Sequence, residues 1–205
     1  MYTLYHHPFS QHSRRVVALM EAANLKYELH QIELASGEHM SPEYLAINPN
    51  HQVPTLIDGN VKIHESNAIL RYLCTSNDLE TWYPNDVEHR AMVEQWLDWN
   101  QCHLGRAVPE IVVNKVFLGD SGDTDAIARG QAVIDDCMPV LEAALETAAY
   151  LTGDTVTIAD LSVASNIFQL DLAKAAPTTP NITAWYDRVS RLEAYRKSLP
   201  VMEAA

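Results

Sequence analysis

Residues 53–73 read VPTLIDGNVKIHESNAILRYL, and the fold prediction starts from this stretch. Two short apolar runs flank Asp58-Gly59-Asn60, a tight-turn sequence, which predicts a β-hairpin. From Ser66 onward the apolar residues Ile69 and Leu73 recur at helical spacing, so a helix is expected to begin at Ser66. The stretch therefore predicts a hairpin that leads directly into a helix.

The residues before this hairpin predict alternating strands and helices. Tyr2 to Tyr5 have the pattern of a short buried strand, and an amphipathic helix is expected from Ser10. The run from Tyr27 to Leu34 alternates apolar and polar residues, as a half-buried strand does, and the loop after it holds one short helical turn. Residues 1–77 are therefore expected to form one domain with the element order βαβαββα.

The residues after this domain show a different pattern. Residues 78–86 carry turn-forming residues and read as a linker, and residues 87–205 contain only helix-periodic segments. Pro109 and Pro139 are expected to kink or divide two of these helices. The stretch Thr157-Ile158-Ala159-Asp160 has the spacing of a capping box, which predicts the start of a buried helix. The predicted fold class is α/β plus all-α, with a helical-bundle domain after the βαβαββα domain.

Composition narrows the class of protein. The 205 residues carry a formal net charge of −13, and because nucleic acids and anionic membranes attract basic patches, neither is expected as a partner. No apolar run approaches the ~20 residues that span a bilayer, and no signal-peptide pattern is visible, so a cytoplasmic location is expected. Cys74, Cys102 and Cys137 form no C-x-x-C pair and are expected as small buried hydrophobes in helices.

The local motifs resemble those of one known family. Residues 39–73, HMSPEYLAINPNHQVPTLIDGNVKIHESNAILRYL, look like the glutathione-binding half of a cytosolic glutathione transferase, and TGDTVTIADLSV and NITAWYDRVSRL resemble its helical half. SQHSRRV, which begins at Ser10, is similar to the theta-type pattern and indicates a theta/delta-like or bacterial serine-type member. The resemblance implies a thioredoxin-like domain, a helical domain, glutathione as co-substrate and usually a homodimer.

The chemistry of glutathione explains Glu65 and Ser66. Both stand where a helix is expected to begin, and the exposed amides and positive dipole end there favour a carboxylate. The Ser66 hydroxyl can bind that carboxylate while Glu65 pairs with the neighbouring ammonium group. In isolation the two residues would read as an ordinary helix cap, and the family resemblance favours the binding role.

The resemblance assigns further binding roles to the loop before the hairpin. It implies a cis Val53-Pro54 bond, which turns the Val53 backbone toward the cysteinyl part of glutathione, and it places Gln52 within reach of the bound peptide. His51 and His39 match positions that contact the glycine carboxylate in some members of the family. Exposed loop histidines would otherwise carry little weight.

The thiol of glutathione needs a hydrogen-bond donor, because a free thiol has a pKa of ~8.5 and is mostly protonated at neutral pH. Ser10 lies at the expected N-cap of the first helix, where its hydroxyl and the helix dipole would stabilise the thiolate. Tyr5, at the end of the first strand, is the alternative, since other classes of the family use a tyrosine near there. Ser13 lies one turn into the helix and is expected to point away from the sulfur.

No metal site is expected in the opening turn, which holds His6, His7 and His12. Adjacent histidines on a strand face opposite ways, and no carboxylate or cysteine completes a ligand set at suitable spacing. The reaction is therefore expected to proceed without a metal.

The second substrate is expected to meet the helical domain. Trp96 and Trp99 fall on the same helix face as His103 and are expected to serve packing. The candidates for an electrophile pocket are Phe9, His103, Arg106 and the C-terminal tail 198–205.

The main functional prediction is a glutathione transferase that conjugates the glutathione thiolate to hydrophobic electrophiles, with a role in detoxification. Glutathione-dependent reduction of disulfides or organic peroxides is an alternative, since two glutathione molecules can share that work without a protein cysteine. A glutathione transferase-like binding protein without turnover is the second alternative. The retained Glu65-Ser66 pair and a thiol-partner hydroxyl speak against it.

Overall fold

The computed structural model describes residues 1–201, which form two compact units. The first unit comprises Met1–Leu79 together with the described residues from Leu192 onward, and the second comprises Glu80–Arg191. None of the helices within the described residues combines the length and the apolar character that a membrane crossing requires.

The first unit is built on a four-stranded mixed sheet. Its strands are β1 Tyr2–His6, β2 Tyr27–Gln31, β3 Thr55–Asp58 and β4 Val61–His64. They lie in the order β2-β1-β3-β4, with β1 parallel to β2 and antiparallel to β3. β3 and β4 form the predicted hairpin, whose turn contains Gly59 at a φ of 55°, a left-handed conformation that favours glycine.

Three helices alternate with these strands as the sequence predicts. They are α1 Gln11–Ala22, α2 Pro42–Leu45 and α3 Ser66–Ser76, and a 3-10 turn, Glu38–Met40, precedes α2. The observed order βαβαββα confirms the predicted thioredoxin-like architecture.

The core of the first unit forms where α1 packs against α3 and α3 packs against the hairpin. Leu19 of α1, Ile69 and Leu73 of α3, and Leu4 and Leu56 of the central strands are all completely buried. Burial of each such side chain contributes about 1.5–3 kcal/mol, and together they hold the helices in place against the sheet.

β2 is shorter and more exposed than the alternating pattern of its sequence suggests. The strand ends at Gln31, and from Glu28 onward each of its residues is exposed. It is an edge strand, so it pairs on one side only, and Leu29 keeps 46% of its surface exposed. The alternation predicted the strand correctly but not its degree of burial, because burial depends on the strand's place in the sheet.

The second unit is helical, as expected. Its helices are α4 Val87–Cys102, α5 Leu104–Val112, α6 Thr124–Ala144, α7 Ile158–Leu172 and α8 Pro180–Ser190. Within the described residues of this unit no named strand occurs, and the only bridge is an isolated one between Tyr150 and Gly153.

The sequence predicts that Pro109 and Pro139 kink or divide their helices, and neither helix is divided at its proline. α5 continues past Pro109 and then changes to a π-helical turn, and α6 continues past Pro139. A proline removes one backbone hydrogen bond, and burial of the residues beside it, such as Val108 and Met138, offsets that loss. The break falls instead at His103, between α4 and α5.

The predicted capping box at the start of α7 is confirmed. The Thr157 N–H donates to Asp160 Oδ2 at 2.8 Å, and the opposite oxygen, Oδ1, accepts from the Leu151 N–H at 3.0 Å. Trp185 of α8 also donates its indole N–H to Asp160 Oδ1, at 2.8 Å. The carboxylate is completely buried, so it joins α7 and α8 as well as starting α7.

The last helix, α9 Glu193–Lys197, belongs to the first unit and packs on α1. The helical periodicity of the sequence predicts one helical domain over residues 87–205. Helical periodicity predicts that a segment is a helix but does not say which unit will bury its apolar side. Residues 202–205, which the sequence analysis included in the electrophile pocket, lie outside the described residues.

Candidate functional site

The predicted binding residues lie next to the ends of three strands that meet at one side of the sheet. β1 ends at this edge, and because β3 is antiparallel to β1, β3 begins there; β4 is antiparallel to β3 and ends there. Ser10 follows β1, Val53 precedes β3, and Glu65 follows β4. The sheet topology therefore brings together residues that are up to 55 positions apart in the sequence.

Ser10 is the N-cap of α1, as predicted. Its backbone is extended, and its Oγ accepts a hydrogen bond from the Ser13 N–H at 3.3 Å. That bond uses an acceptor position and leaves the hydroxyl proton available to a ligand. The Ser13 hydroxyl is completely buried and accepts from the His7 N–H at 3.3 Å, so Ser13 serves the turn rather than the open site.

Glu65 and Ser66 begin α3. Ser66 is buried, and its Oγ lies 3.4 Å from Nδ1 of His12, so the first turns of α1 and α3 meet. Glu65 is exposed, makes no side-chain capping bond and has φ 67° and ψ 109°. A non-glycine residue in this region is strained by about 1–3 kcal/mol, and such strain occurs most often where a residue binds a ligand.

The electrostatics of this edge favour an anion. Two helix N-termini converge there, and each carries the positive end of a helix dipole. Burial lowers the pKa of His12 to about 3, with a further contribution from the nearby Arg15 guanidinium, so His12 is neutral at physiological pH. The two dipole ends therefore favour an anion at this edge, and the buried Arg15 guanidinium of α1 lies close to His12.

The loop before β3 is fixed by a buried polar cluster that no sequence motif predicts. Gln52 is exposed, and its carbonyl accepts from the Tyr44 hydroxyl at 2.6 Å and from Asn48 Nδ2 at 2.9 Å. Asn48 also donates to Thr55 Oγ1 at 3.0 Å. The Val53-Pro54 peptide bond is cis, as the resemblance implies. The sequence shows Tyr44, Asn48 and Thr55 only as separate polar residues near the start of β3. Their burial in one cluster becomes visible only in the folded structure.

The two loop histidines lie on different segments. His51 is exposed and has φ 47°, next to Gln52. His39 lies on the 3-10 turn, and its Nδ1 is buried without a hydrogen-bond partner among the described residues. An unpaired buried nitrogen costs free energy and so favours a ligand or a water molecule at that position.

Tyr5, the alternative thiol partner, lies within the sheet. It faces away from its buried neighbours Leu4 and His6, and its ring packs against His30 and Tyr44 with centroid distances of 4.7 and 6.1 Å. Tyr5 therefore sits one residue before the end of β1, whereas Ser10 sits at the helix terminus itself.

The cysteines of the chain are all free thiols. Cys74 and Cys137 are buried as expected, and burial raises the pKa of Cys74 to about 12 and that of Cys137 to about 11. Cys102 is exposed, contrary to the expectation that all three are buried, because it ends α4 on the outer side. The two buried thiols stay protonated at neutral pH and supply no nucleophile.

The pocket candidates of the helical unit lie where α4 gives way to α5. His103 and Arg106 are exposed, and the Trp99 ring lies 5.6 Å from the His103 ring and 5.2 Å from the Trp96 ring. These ring contacts agree with the predicted common face. Phe9, the remaining candidate, belongs to the first unit and is half-buried, with its ring 6.1 Å from that of His7.

Within residues 1–201, no three His, Cys, Asp or Glu side chains come close enough together to hold a metal ion. The expectation of a reaction without a metal stays a prediction.

These features define a class of protein: a thioredoxin-like unit with two helix N-termini at one edge of its sheet, followed in the chain by a helical unit. The chain belongs to the glutathione S-transferase family. The family model "Glutathione S-transferase, N-terminal domain" matches residues 1–75, and "Glutathione S-transferase, C-terminal domain" matches residues 124–188.

Named relatives extend over nearly the whole chain. Glutathione S-transferase F10 of Arabidopsis thaliana is 32% identical, over 97% of this chain and 99% of the relative. Glutathione S-transferase theta-1 of Mus musculus is 31% identical, over 91% of this chain and 81% of the relative. A solved glutathione S-transferase-I bound with lactoylglutathione superposes with a TM-score of 0.84 at 29% identity, covering 98% and 99% of the two chains. The protein is thus an enzyme of the glutathione transferase class, with glutathione as its substrate.

Proposed function

We propose that this protein conjugates the thiolate of glutathione to hydrophobic electrophiles by nucleophilic substitution or addition. The observation that supports this most is the meeting of two helix N-termini at one sheet edge, with the Ser10 hydroxyl on one and the Ser66 hydroxyl on the other. A thiolate and a carboxylate are the two anionic groups that such an arrangement would stabilise in one tripeptide.

Ser10 is proposed to donate its hydroxyl proton to the sulfur of glutathione. Its Oγ already accepts from the Ser13 N–H, and this bond orients the hydroxyl at the helix terminus. The sulfur, once held there as the anion, attacks the electrophile, and its electron pair forms the new C–S bond. In a substitution reaction the leaving group departs with the electron pair of the bond that breaks. In an addition reaction the π electron pair of the electrophile moves to the neighbouring acceptor atom, which then takes up a proton.

The other binding residues are proposed to hold the tripeptide along the same edge. Ser66 and the α3 amides bind the γ-glutamyl carboxylate, and Glu65 pairs with the ammonium group beside it. The Val53 backbone pairs with the cysteinyl unit, and Gln52 reaches the bound peptide. His51 and His39 bind the glycine carboxylate, in agreement with the unpaired buried Nδ1 of His39.

The electrophile pocket, the oligomeric state and the location of the protein are proposed from the family resemblance. We propose that Phe9, His103 and Arg106 contribute to the electrophile pocket and that the protein forms a homodimer. A cytoplasmic location and a role in detoxification are proposed on the same basis. Analytical ultracentrifugation of the full chain tests the homodimer, and a monomer at micromolar concentration would contradict it.

Calorimetric titration of glutathione into the purified chain tests the binding site, and Ser66→Ala is the variant expected to weaken it. Parallel assays with a chloro-nitro aromatic, a hydroperoxide and a mixed disulfide then compare the conjugating and reducing activities. Conjugation that exceeds both reductions is the expected result. Turnover confined to the hydroperoxide or the disulfide would replace the proposal with the reductase alternative, and glutathione binding without any turnover would favour a binding protein.

A further inference from the structure

We propose that Arg15 is a positioning residue for the glutathione site and that it acts through Asn67 on the first turn of α3. The inference rests on the proposed function, since it concerns the binding of glutathione at that helix terminus. Arg15 lies on α1 and is completely buried, and its Nη1 donates to Asn67 Oδ1 at 3.2 Å. This bond joins two helices that are 52 residues apart in the sequence.

The position of Asn67 connects this bond to the proposed glutathione site. Asn67 is the second residue of α3 and directly follows Ser66, the proposed ligand of the γ-glutamyl carboxylate. Ser66 itself meets His12, one turn before Arg15 on α1. The first two turns of α1 are therefore joined to two consecutive residues of α3, Ser66 and Asn67, which holds the first turn of α3 in place.

The backbone before Ser66 shows that this terminus is held firmly. Glu65 keeps φ 67°, a conformation that a non-glycine residue adopts only when its surroundings impose it. β4 holds the residues before Glu65, and the Arg15–Asn67 bond holds the helix turn after it. Loss of that bond would let the first turn of α3 relax, and the Glu65 and Ser66 groups would no longer be aligned for the amino-acid head of glutathione.

The charge of Arg15 adds to the effect of its hydrogen bond. Burial lowers the pKa of Arg15 to about 9, with a further contribution from the adjacent Arg14, so the guanidinium keeps its charge at neutral pH. In a chain with a net charge of −13, this places buried positive charge close to the edge that receives two carboxylates and a thiolate. Arg15 thus orients the donors and offsets the repulsion of the acidic surface.

The test compares two truncations on the same helix in the full-length protein. Asn67→Ala removes the acceptor of the Arg15 bond, and Asn77→Ala is the matched control at the far end of α3. The Asn77 side chain donates to the Tyr2 hydroxyl at 2.9 Å and to the Leu73 carbonyl at 2.8 Å. Calorimetry measures the Kd for glutathione, and thermal unfolding measures the stability of each variant.

Asn67→Ala is expected to raise the Kd for glutathione about tenfold, because binding must then order the first turn of α3, which costs free energy. It should raise the KM for glutathione with little change in kcat, because the thiol partner is intact. Asn77→Ala should lower the melting temperature and leave the Kd unchanged. Asn67→Gln keeps a neutral carbonyl acceptor for the guanidinium and should bind glutathione within about twofold of the unmodified protein.

Several outcomes would overturn the inference. If Asn67→Ala bound glutathione as tightly as the unmodified protein, or if Asn77→Ala weakened binding equally, the Arg15–Asn67 bond would have only a structural role. If Asn67→Ala did not fold, an Asn67→Gln variant with tenfold weaker binding would contradict the role of the acceptor. Failure of the unmodified protein to bind glutathione would instead overturn the proposed function, and the inference would fall with it.

Discussion

Replacement of Ser10 by alanine would remove a helix cap and the proposed thiolate donor together, and the two losses can be separated. The cap is the bond from the Ser13 N–H to Ser10 Oγ, and its loss destabilises the protein by about 1 kcal/mol. The donor is the hydroxyl proton, and a hydrogen bond to a charged partner contributes about 1.5–3 kcal/mol. Only the second loss acts on the sulfur of bound glutathione.

The size and pH dependence of the catalytic loss follow from that free energy. Because one pKa unit corresponds to 1.36 kcal/mol, loss of the donor should raise the pKa of the bound thiol by about 1–2 units, toward the free value of ~8.5. Below the pKa of the unmodified complex, the thiolate fraction and the rate should therefore fall about 10-fold to 100-fold. Above pH ~9 the thiol is ionised in both proteins, so the rates should converge.

The assay is the pH profile of kcat with a chloro-nitro aromatic, together with the ultraviolet absorbance of the bound thiolate. Ser10→Thr keeps both the cap and the hydroxyl and should retain most activity. Ser10→Gly removes the hydroxyl but costs the helix cap only a few tenths of a kcal/mol, so it should be stable but slow. An unchanged pH profile in Ser10→Ala would refute the assignment, and a shifted profile in Tyr5→Phe would transfer the role to Tyr5.

Three further changes test other parts of the site and its scaffold. Glu65→Gly should relieve about 1–3 kcal/mol of backbone strain and so raise the melting temperature, while it weakens glutathione binding. Glu65→Gln should weaken glutathione binding without raising the melting temperature. A glycine variant with a lower melting temperature would show that the backbone at φ 67° is not strained. Asn48→Ala should lower the free energy of unfolding in urea by about 2–4 kcal/mol, because it removes buried bonds to Gln52 and Thr55, and a loss below about 0.5 kcal/mol would contradict their importance. Burial lowers the pKa of His6 to about 4, with smaller contributions from His7 and His30. Between pH 6.5 and about 4, His6 should therefore be protonated in the unfolded state and neutral in the folded state. Acidification through that range should cost up to about 3 kcal/mol of stability, and His6→Asn should flatten this loss in urea titrations at pH 7 and 5; an equal pH dependence in both proteins would exclude His6 as its source.

Local features of the site could be predicted from the sequence, and features that depend on three-dimensional neighbours could not. The N-cap at Ser10, the hairpin around Gly59 and the capping box at Thr157 all depend on residues within a few positions of each other. Such interactions form from the local sequence in almost any tertiary setting. The candidate binding residues on the sheet edge come from such motifs and from the family resemblance, and their roles stay predictions.

The supporting residues were missed because their roles depend on burial. Asn48 is 2% exposed, and the bonds that make it important reach Gln52 and Thr55 only after the loop has folded back on the strand start. The Arg15–Asn67 bond spans two helices and leaves no periodic pattern in the sequence. The exposure of Cys102 was missed for a related reason, since a helical segment does not reveal where it ends relative to its neighbours.

The packing of α9 on α1 has a consequence for synthesis of the chain. Tyr195 of α9 is completely buried in the first unit, and Lys197 Nζ lies 3.5 Å from the Glu21 carboxylate of α1. The unit that carries Ser10 and Ser66 is therefore discontinuous in sequence, and a ribosome must make the whole helical unit before the last part of this scaffold exists. The nascent first domain would emerge with one side of α1 uncovered, so its completion is a late event, and a chain that terminates before Leu192 would lack that support although every proposed glutathione ligand is present.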